Sequence, residues 1–400
     1  MRVVPAAVAS AVVVGLAGSA WLPERGEDPT GDAVALAHEL LILDTHVDLP
    51  YRLFQEWTDI SGETAGEFDW PKARAGGLDA IFAAIYVPAS LSAEQAFERA
   101  DRLIDLVDGL AERWPDRFVR ANRPEDVEAA FAAGKVALVL GMENGTPLGE
   151  RGEHLDYLVK RGIRYVGMAH SRSNFLADAS YDEERLWHGL SPLGRELVGR
   201  LNDRGVMIDL SHLSDEAALQ VLELSRAPVI ASHSSCRAFT PGWERNLSDE
   251  LIRRIAAGGG VVQVNFGRMF LVDDYRRNRM EQVRRFRDFL RTRELEADAP
   301  EAVAFRRRLA GEFPLPRVTV ADVADHVEHI VKLVGVDHVG FGSDYEGLDG
   351  DLPEGLENVS RYPALLAELR RRGFDREALE KIAGGNLLRV WREVRRRARN

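Results

Sequence analysis

Residues 41–50 read LILDTHVDLP, an apolar run that ends in a histidine and an aspartate two positions apart. Side chains two positions apart on a strand point to the same face, so His46 and Asp48 can both reach one metal ion. An isolated pair of this kind is more often structural, with a hydrogen-bonded core histidine and an aspartate that caps the next turn. The metal interpretation gains weight because three other apolar runs of the chain also end on a histidine.

Eight short apolar runs, of which this is the first, alternate with longer amphipathic segments. Hydrophobic strands that alternate with helices are typical of a parallel sheet, and eight such units predict an α/β fold, a closed (β/α)8 TIM barrel. A doubly wound open sheet is the alternative, although no Gly-x-Gly-x-x-Gly follows the first run to favour a dinucleotide-binding form. The charged segment 267–317 predicts a helical insertion between strands 7 and 8. The predicted strands are 41–46, 78–87, 136–143, 165–170, 206–212, 229–233, 260–266 and 339–344.

The composition is that of an ordinary globular protein. The 400 residues are 45% hydrophobic, enough for one large α/β domain or two ordinary ones. A formal net charge of -12 argues against a nucleic-acid partner, because there is no net basic field to attract phosphates. The single cysteine, Cys236, excludes an intramolecular disulfide. It lies close to His233 in sequence, but a small half-buried thiol is a better interpretation than a nucleophile.

The N-terminal residues predict a targeting segment. Residues 1–22 contain one arginine, an apolar stretch and the small residues Ala17 to Ala20, which together indicate a signal peptide or an uncleaved membrane anchor. Residues 23–35 predict a linker, and residues 36–400 the barrel domain. We therefore expect an exported protein, extracellular, periplasmic or anchored on the outer side of a membrane, that contacts the membrane only through this segment.

The ends of the predicted strands carry the candidate site. Active sites of (β/α)8 barrels lie at the carboxyl ends of the strands, and core-filling histidines have no reason to share that one rim. Imidazole nitrogen and carboxylate oxygen are ligands of Zn²⁺ in hydrolytic sites, and the lack of thiolates argues against a closed structural zinc site. A carboxylate such as Glu143 can bridge two metals, so the pattern predicts an open binuclear centre. The residues at these ends are His46, Asp48, Glu143, His170, His212, His233 and Asp344.

Six ordered motifs resemble those of the membrane (renal-type) dipeptidases, peptidase family M19. The resemblance spans about residues 38 to 395. It implies a zinc hydrolase on a barrel of the metal-dependent hydrolase type, which cleaves dipeptides through a hydroxide bridging two zinc ions. Family members form dimers, so a homodimer is a further expectation. The motifs are HVDLP at 46–50, GMENG at 141–145, MAH at 168–170, IDLSH at 208–212, SHSS at 232–235 and GFGSD at 340–344, followed by GGNLLRV at 384–390.

The resemblance also implies which residues hold the metal. His46 and Asp48 would hold one zinc ion, and Glu143 would bridge it to a second. His212 and His233 would hold that second ion.

Four further residues are assigned to the substrate by the resemblance. His170 would lie over the substrate and stabilise the developing oxyanion. Arg245 would bind the C-terminal carboxylate of the dipeptide, a task that suits a planar guanidinium. Asp344 would take the proton of the attacking hydroxide and pass it to the leaving amine. Tyr345 stands where the family usually has phenylalanine, near the predicted mouth of the site, and is a candidate substrate contact.

Two alternatives to a zinc dipeptidase stay open. One is another binuclear amidohydrolase, which would act on N-acyl amino acids, cyclic amides or lactones. The other is a non-catalytic exported binding protein that keeps the barrel. Against the second stands the complete ligand set together with Asp344, because a pure binder would be free to lose the proton shuttle.

Overall fold

The computed structural model describes residues 29–399, and its centre is a closed barrel of eight parallel strands. The sheet has nine strands among the described residues, eight in the barrel and one, β3, beside it. They are β1 Ile42–Val47, β2 Leu78–Tyr86, β3 Phe118–Arg120, β4 Val136–Glu143, β5 Ile163–Gly167, β6 Met207–Asp209, β7 Ile230–Ala231, β8 Val261–Val264 and β9 Val339–Phe341. They are ordered β2-β1-β9-β8-β7-β6-β5-β4-β3, and a further pairing of β2 with β4 closes the ring. The short β3 pairs with the first residues of β4 and adds to the sheet outside the ring.

Helices surround the barrel. Their bounds are α1 Pro29–Glu39, α2 Leu49–Gln55, α3 Trp70–Gly76, α4 Ala93–Arg113, α5 Pro124–Ala132, α6 Leu155–Arg161, α7 Pro192–Arg204, α8 Asp215–Leu224, α9 Asp249–Ala257, α10 Arg268–Leu271, α11 Asp273–Arg293, α12 Pro300–Glu312, α13 Val320–Val334, α14 Tyr362–Arg371, α15 Arg376–Glu380 and α16 Asn386–Arg396. A π-helical turn, Lys381–Gly385, joins the last two. Single 3₁₀ turns occur at Thr146–Leu148, Arg237–Phe239, Val336–His338 and Val359–Arg361.

The helix α4 shows how the sequence encodes this shell. Ser92 caps its first turn and Gln95 returns the hydrogen bond to the Ser92 backbone, a capping box that fixes the start of the helix. Its buried residues recur at three- and four-residue spacing, which places them on one face against the barrel. They are Ala96, Ala100, Leu103, Ile104, Val107 and Leu110.

The inside of the barrel is filled at its amino-terminal end. Alternate residues of the strands point inward there, such as Ala80 and Phe82 on β2 and Val139 on β4. Trp391 of α16 packs against Phe82 with ring centroids 5.5 Å apart. Because α16 closes this end with a large buried side chain, the opposite, carboxyl end is the one left open for a site.

The predicted (β/α)8 barrel is confirmed, and each of the eight predicted strands overlaps one strand of the ring. Between β8 and β9, the last two strands of the ring, the chain forms α10, α11, α12 and α13. The prediction missed β3, a three-residue strand with little apolar pattern of its own. The helix α1 begins at Pro29, within the stretch predicted as a linker, and the division into a linker and a barrel domain stays a prediction.

The predicted targeting segment, residues 1–22, lies outside the described residues. Within residues 29–399, no helix combines the length and the apolar character needed to cross a bilayer.

Candidate active site

The residues expected at the strand ends meet at the carboxyl end of the barrel. His46 lies near the end of β1, and Asp48 precedes α2. Glu143 is the last residue of β4, while His170 follows β5 by three residues. His212, His233 and Asp344 follow β6, β7 and β9.

Glu143 lies at the centre of this group. Its Oε2 is 3.4 Å from His46 Nε2, while its Oε1 is 3.0 Å from His212 Nε2 and 3.4 Å from His233 Nε2. His170 Nε2 is also 3.4 Å from Oε1. The two carboxylate oxygens therefore face different histidines, as a bridging ligand between two metal ions requires.

Three overlapping sets of donor atoms are close enough to hold a metal ion. In each set the ligand atoms lie within 4.8 Å of one another. Glu143 belongs to two of them and His46 to two, and His170 joins one set although the sequence assigned it to the substrate. The sets are His46, Glu143 and His233; Glu143, His170 and His212; and His46, Asp48 and Asp344.

The outer nitrogens of two histidines are held by neighbours that leave Nε2 facing inward. His46 Nδ1 is 2.8 Å from the hydroxyl of Tyr165, on β5. His233 Nδ1 is 2.7 Å from Ser232 Oγ, which in turn donates to Asp209 Oδ2 at 2.6 Å. With its own proton given to Asp209, Ser232 accepts the Nδ1 proton of His233, so the lone pair of His233 Nε2 points into the cluster, where it lies 2.8 Å from His212 Nε2.

Burial and mutual contact shift the pKa values in this cluster. Burial lowers the pKa of His212 and of His233 well below the ordinary value. Burial also raises the pKa of Glu143, but the surrounding imidazoles, His46 first, outweigh it and hold that pKa well below its usual range. His212 and His233 are therefore neutral and Glu143 is ionised, the protonation states that metal ligands need. Burial lowers the pKa of His46 as well, but Tyr165 and Glu143 outweigh it and hold that pKa well above its ordinary value, so a metal ion that binds there would displace a proton.

The donor set fits divalent zinc. Within the described part of the chain, His46 Nε2 and Asp48 Oδ1 are buried and have no hydrogen-bond partner. Leaving such atoms unpaired is costly unless a cation satisfies them. Nitrogen and oxygen donors without thiolates are typical of catalytic rather than closed structural zinc sites.

Asp344 is held beside the metal ligands by Asn265. The amide of Asn265 donates to Asp344 Oδ2 at 2.8 Å, and both residues are buried. Burial, and after it the nearby Asp48 carboxylate, raise the pKa of Asp344 well above its ordinary value. A carboxyl group in this position can both accept and return a proton.

Left-handed backbone angles recur at the site. Asn144, His212 and Asp344 have φ of 74°, 71° and 68°, a region that residues other than glycine rarely adopt. Each follows a barrel strand at its carboxyl end, where the chain must turn at once into a loop. Such strained positions cluster at functional sites, because the surrounding structure has to hold them in place.

Arg245 lies against the metal ligands and is 2% exposed. Its Nη1 donates to Ser234 Oγ at 2.9 Å and its Nη2 to the His233 carbonyl at 3.0 Å, and the guanidinium lies over the ring of Phe270. Its Nε has no partner among the described residues. Part of this buried cation is therefore still available to an anion.

A cavity of about 390 Å³ opens over the cluster. Its described lining contains one guanidinium, that of Arg245, and five carboxyl groups. The aromatic side chains Tyr51, Tyr86, Tyr181 and Phe270 form much of the remaining wall, and the sequence interpretation named none of them. Tyr86 and the Asp344 partner Asn265 stand at the ends of the second and seventh ring strands, the two strand ends that the sequence interpretation passed over.

The assignment of Tyr345 to substrate binding is wrong for this structure. Its side chain is fully buried, its hydroxyl donates to the Leu356 carbonyl at 3.0 Å, and its ring packs against Phe266. The left-handed turn at Asp344 reverses the direction of the next side chain, which therefore enters the core. Glu346, Gly347, Leu348 and Asp349 line the cavity instead.

Cys236 takes no part in the site. Its thiol is free and buried, and burial raises its pKa. The interpretation as a small packed thiol is therefore better than that of a nucleophile.

Comparison with known proteins relates the chain to dipeptidases. The model of the membrane dipeptidase family, peptidase family M19, matches residues 31–400. Dipeptidase tcpJ of Claviceps purpurea (strain 20.1) is 33% identical over 341 residues, which cover 83% of this chain and 70% of the relative.

Two solved structures share the fold. That of the probable dipeptidase PvdM from Pseudomonas aeruginosa superposes with a TM-score of 0.81 at 30% identity, over 94% of this chain and 100% of the other. A metallo peptidase from Rhodobacter sphaeroides, liganded with a phosphinate mimic of the dipeptide L-Ala-D-Ala, gives a TM-score of 0.73 at 26% identity, over 89% and 99%. With a barrel, a cluster of residues that could hold a metal ion and a family match over nearly its whole length, the chain belongs to the membrane dipeptidases, the metallo-dipeptidases of peptidase family M19.

Proposed function

We propose that the protein is a zinc dipeptidase with two metal ions, which hydrolyses the peptide bond of dipeptides that have a free C-terminal carboxylate. The observation that carries the proposal is the position of Arg245, a buried guanidinium with an unpartnered Nε, in the wall of the cavity that the metal-binding residues line. A metal cluster alone suits many hydrolases. A fixed cation beside it selects substrates that carry an anion close to the bond to be cut.

The division of the ligands supports two ions. His46 and Asp48 would hold one, with Asp48 Oδ2 3.5 Å from His46 Nε2, and His212 and His233 would hold the other. Glu143 would bridge them, since its two oxygens face the two groups. Bound zinc would acidify a water molecule as the nucleophile and polarise the scissile carbonyl.

The residues of the chain supply the remaining chemistry. Arg245 orients the substrate by its carboxylate. His170, whose side chain is 20% exposed and lies over Glu143, donates to the oxyanion that develops on the scissile carbonyl. Asp344, held by Asn265, takes the proton of the attacking water and returns it to the leaving amine.

The surplus of carboxyl groups in the cavity wall supports a zwitterionic substrate. Asp48, Glu143 and Asp344 face the metal cluster. Glu346 lies on the wall beyond it but is paired with Arg52 at 3.1 Å, which leaves Asp349 as the carboxylate for the substrate's ammonium group. A substrate with an ammonium group at one end and a carboxylate at the other matches this distribution better than an N-acyl amino acid or a lactone.

Replacing Arg245 tests the proposal against the rival hydrolases. Arg245→Ala should raise KM for a dipeptide by about 10- to 100-fold, the equivalent of the ~1.5–3 kcal/mol of a charged hydrogen bond. Arg245→Lys keeps the charge but lacks the planar fork, so its KM should lie between those of the wild type and Arg245→Ala.

The substrate panel contains a dipeptide, its C-terminal amide, its N-acetyl derivative and a lactone, each assayed with zinc-loaded protein. Preference for the free dipeptide supports the proposal. Faster turnover of the lactone or the N-acetyl compound, with an unchanged KM in Arg245→Ala, favours the other amidohydrolase. No turnover of any member favours a binding protein.

We further propose that the protein is exported. Residues 1–22 contain an arginine, then an apolar stretch and then small residues, which is the order found in signal peptides. Expression in a secreting bacterial host, followed by mass spectrometry of the N terminus, tests this. Recovery from outside the cytoplasm, either cleaved after the small residues or anchored, is the expected result. An intact chain confined to the cytoplasm contradicts it.

A further inference from the structure

The loop that presents Arg245 is held by a second arginine, Arg237. Arg237 Nε donates to the carbonyl of Asn246 at 2.8 Å, and its Nη2 donates to the carbonyl of Glu244 at 3.1 Å. These two carbonyl groups belong to the residues immediately before and after Arg245. One guanidinium therefore fixes the backbone on both sides of the residue that faces the cavity.

Arg237 is itself fixed by Asp215. Its Nη1 and Nη2 donate to the two oxygens of Asp215, each at 2.6 Å, in the bidentate geometry that is the strongest for this pair. Asp215 is the first residue of α8, a helix packed on the barrel. The side chains are only 18% and 31% exposed, so the pair is partly shielded from water.

Glu244 extends the network to the loop that carries Tyr181. Its Oε1 accepts from the backbone nitrogen of Asp215 at 2.7 Å, and its Oε2 forms an ion pair with Arg185. Arg185 in turn donates to the carbonyl of Ala179 at 2.7 Å, in the loop that carries Tyr181 into the cavity. The Arg245 loop and the Tyr181 loop are thereby tied together behind the site.

We infer that Arg237, anchored by Asp215 and Glu244, is a positioning residue for substrate binding: it holds the Arg245 guanidinium where it meets the carboxylate of the substrate. None of these three supporting residues is among the described residues that line the cavity. The Arg245 guanidinium contacts Ser234 Oγ, the His233 carbonyl and His212 Nε2, while Arg237 holds the backbone of the loop that presents it. The inference rests on the proposed function and adds Arg237 as a residue that acts on the substrate through Arg245.

The test is Arg237→Gln, assayed with a dipeptide and with its C-terminal amide. KM for the dipeptide should rise at least about tenfold, because a shift of the loop by a fraction of an ångström spoils the alignment of the fork, while kcat changes little. The ratio of kcat/KM for acid over amide should fall by a similar factor. A general loss of structure would lower activity on both substrates alike and leave that ratio unchanged, an outcome that overturns the inference.

The chain offers a matched control in Arg120, at the other end of the barrel. Arg120 pairs with Asp108 at 2.8 Å and donates to the carbonyls of Leu138 and Arg161, at 3.1 and 3.3 Å. The exposures of the pair, 16% and 37%, are close to those of Arg237 and Asp215. Arg120→Gln should lower the melting temperature about as much as Arg237→Gln does. It should leave unchanged both KM for the dipeptide and the ratio of kcat/KM for acid over amide.

Two further variants keep the test decisive. Arg237→Lys preserves the charge and should fold even where the glutamine variant does not, yet it lacks the fork and should still raise KM. Asp215→Asn should reproduce the KM effect, and the double variant with Arg237→Gln should be no worse than either alone, since the pair acts as one unit. Fully additive effects on KM would overturn the inference.

Failure of the inference and failure of the proposed function are distinguishable. If wild-type protein does not hydrolyse dipeptides, the proposed function fails. If wild-type protein does so and Arg245→Ala raises KM, but Arg237→Gln and Arg237→Lys leave KM unchanged, only the positioning role is wrong.

Discussion

Gly347 provides a sharp steric test of the site. A Cβ built on Gly347 would lie 2.2 Å from Asp48 Oδ2 and 2.8 Å from Asp344 Oδ1, where ordinary contact begins near 3.4 Å. Gly347 is not one of the glycines with positive φ, so alanine there strains no backbone angle and acts by contact alone. The substitution Gly347→Ala therefore pushes on a predicted metal ligand and on the predicted proton carrier together.

The magnitude follows from the overlap. Relieving the contact with Asp48 requires a movement of roughly 1 Å, and a misplacement of that size in catalytic machinery costs about 100-fold in rate. We expect kcat/KM for a dipeptide to fall by about that factor and the affinity for zinc to fall with it, since Asp48 would be displaced. Steady-state kinetics and metal analysis after dialysis against a weak chelator measure both effects.

The matched control is Gly62→Ala. Gly62 has no atom within 4 Å of its built Cβ and no positive φ, so alanine should be tolerated there without change in rate or metal content. The reasoning is refuted if Gly347→Ala keeps kcat/KM within threefold of the wild-type value and retains its full metal content. That result would mean that the loop moves aside at no cost to the site.

Three further predictions concern residues behind the site. Tyr165→Phe removes the partner of His46 Nδ1 and should weaken zinc binding by about 10- to 100-fold in a chelator competition; an unchanged affinity contradicts the supporting role. Asn265→Leu removes the hydrogen-bond donor to Asp344 and should lower kcat about tenfold in steady-state kinetics, with zinc content unchanged. An unaltered kcat would contradict the role of Asp344 as the proton carrier. Burial lowers the pKa of His326 to about 4, from 6.5 in the unfolded chain, so its contribution to stability is complete above pH 6.5 and is lost as pH falls towards 4. Urea unfolding at pH 7 and pH 5 should show a loss of about 2 kcal/mol more in the wild type than in His326→Gln, and equal losses would contradict this.

The barrel could be predicted because its signal is repeated. Eight apolar runs at regular intervals, each followed by a helical pattern, leave few other topologies. The rule that strand ends gather the active site then identified His46, Glu143 and His233 without knowledge of any contact, and these residues do meet in the structure. Had the same rule been applied to the second and seventh strands, it would have pointed to Tyr86 and Asn265.

What the sequence could not provide is the direction of each side chain in the loops. Tyr345 follows Asp344 directly and was expected at the mouth, but after the positive φ of Asp344 the Tyr345 side chain lies in the core, and Glu346 is the residue that lines the cavity. The two-residue alternation of a strand ends with the strand, and a single left-handed residue changes which side chains face the cavity. The support of Arg245 by Arg237 is equally invisible in sequence, because carbonyl groups carry no sequence signal.

The measurement that tests the central claim most directly is the zinc content of the purified protein, wild type against Glu143→Gln, after loading and removal of free metal. If Glu143 bridges two ions, the wild type should hold two zinc ions per chain, and the variant should hold one or none because the amide is a much weaker ligand. A wild type that binds fewer than two ions, or a Glu143→Gln variant that retains two tightly bound ions, would contradict the account.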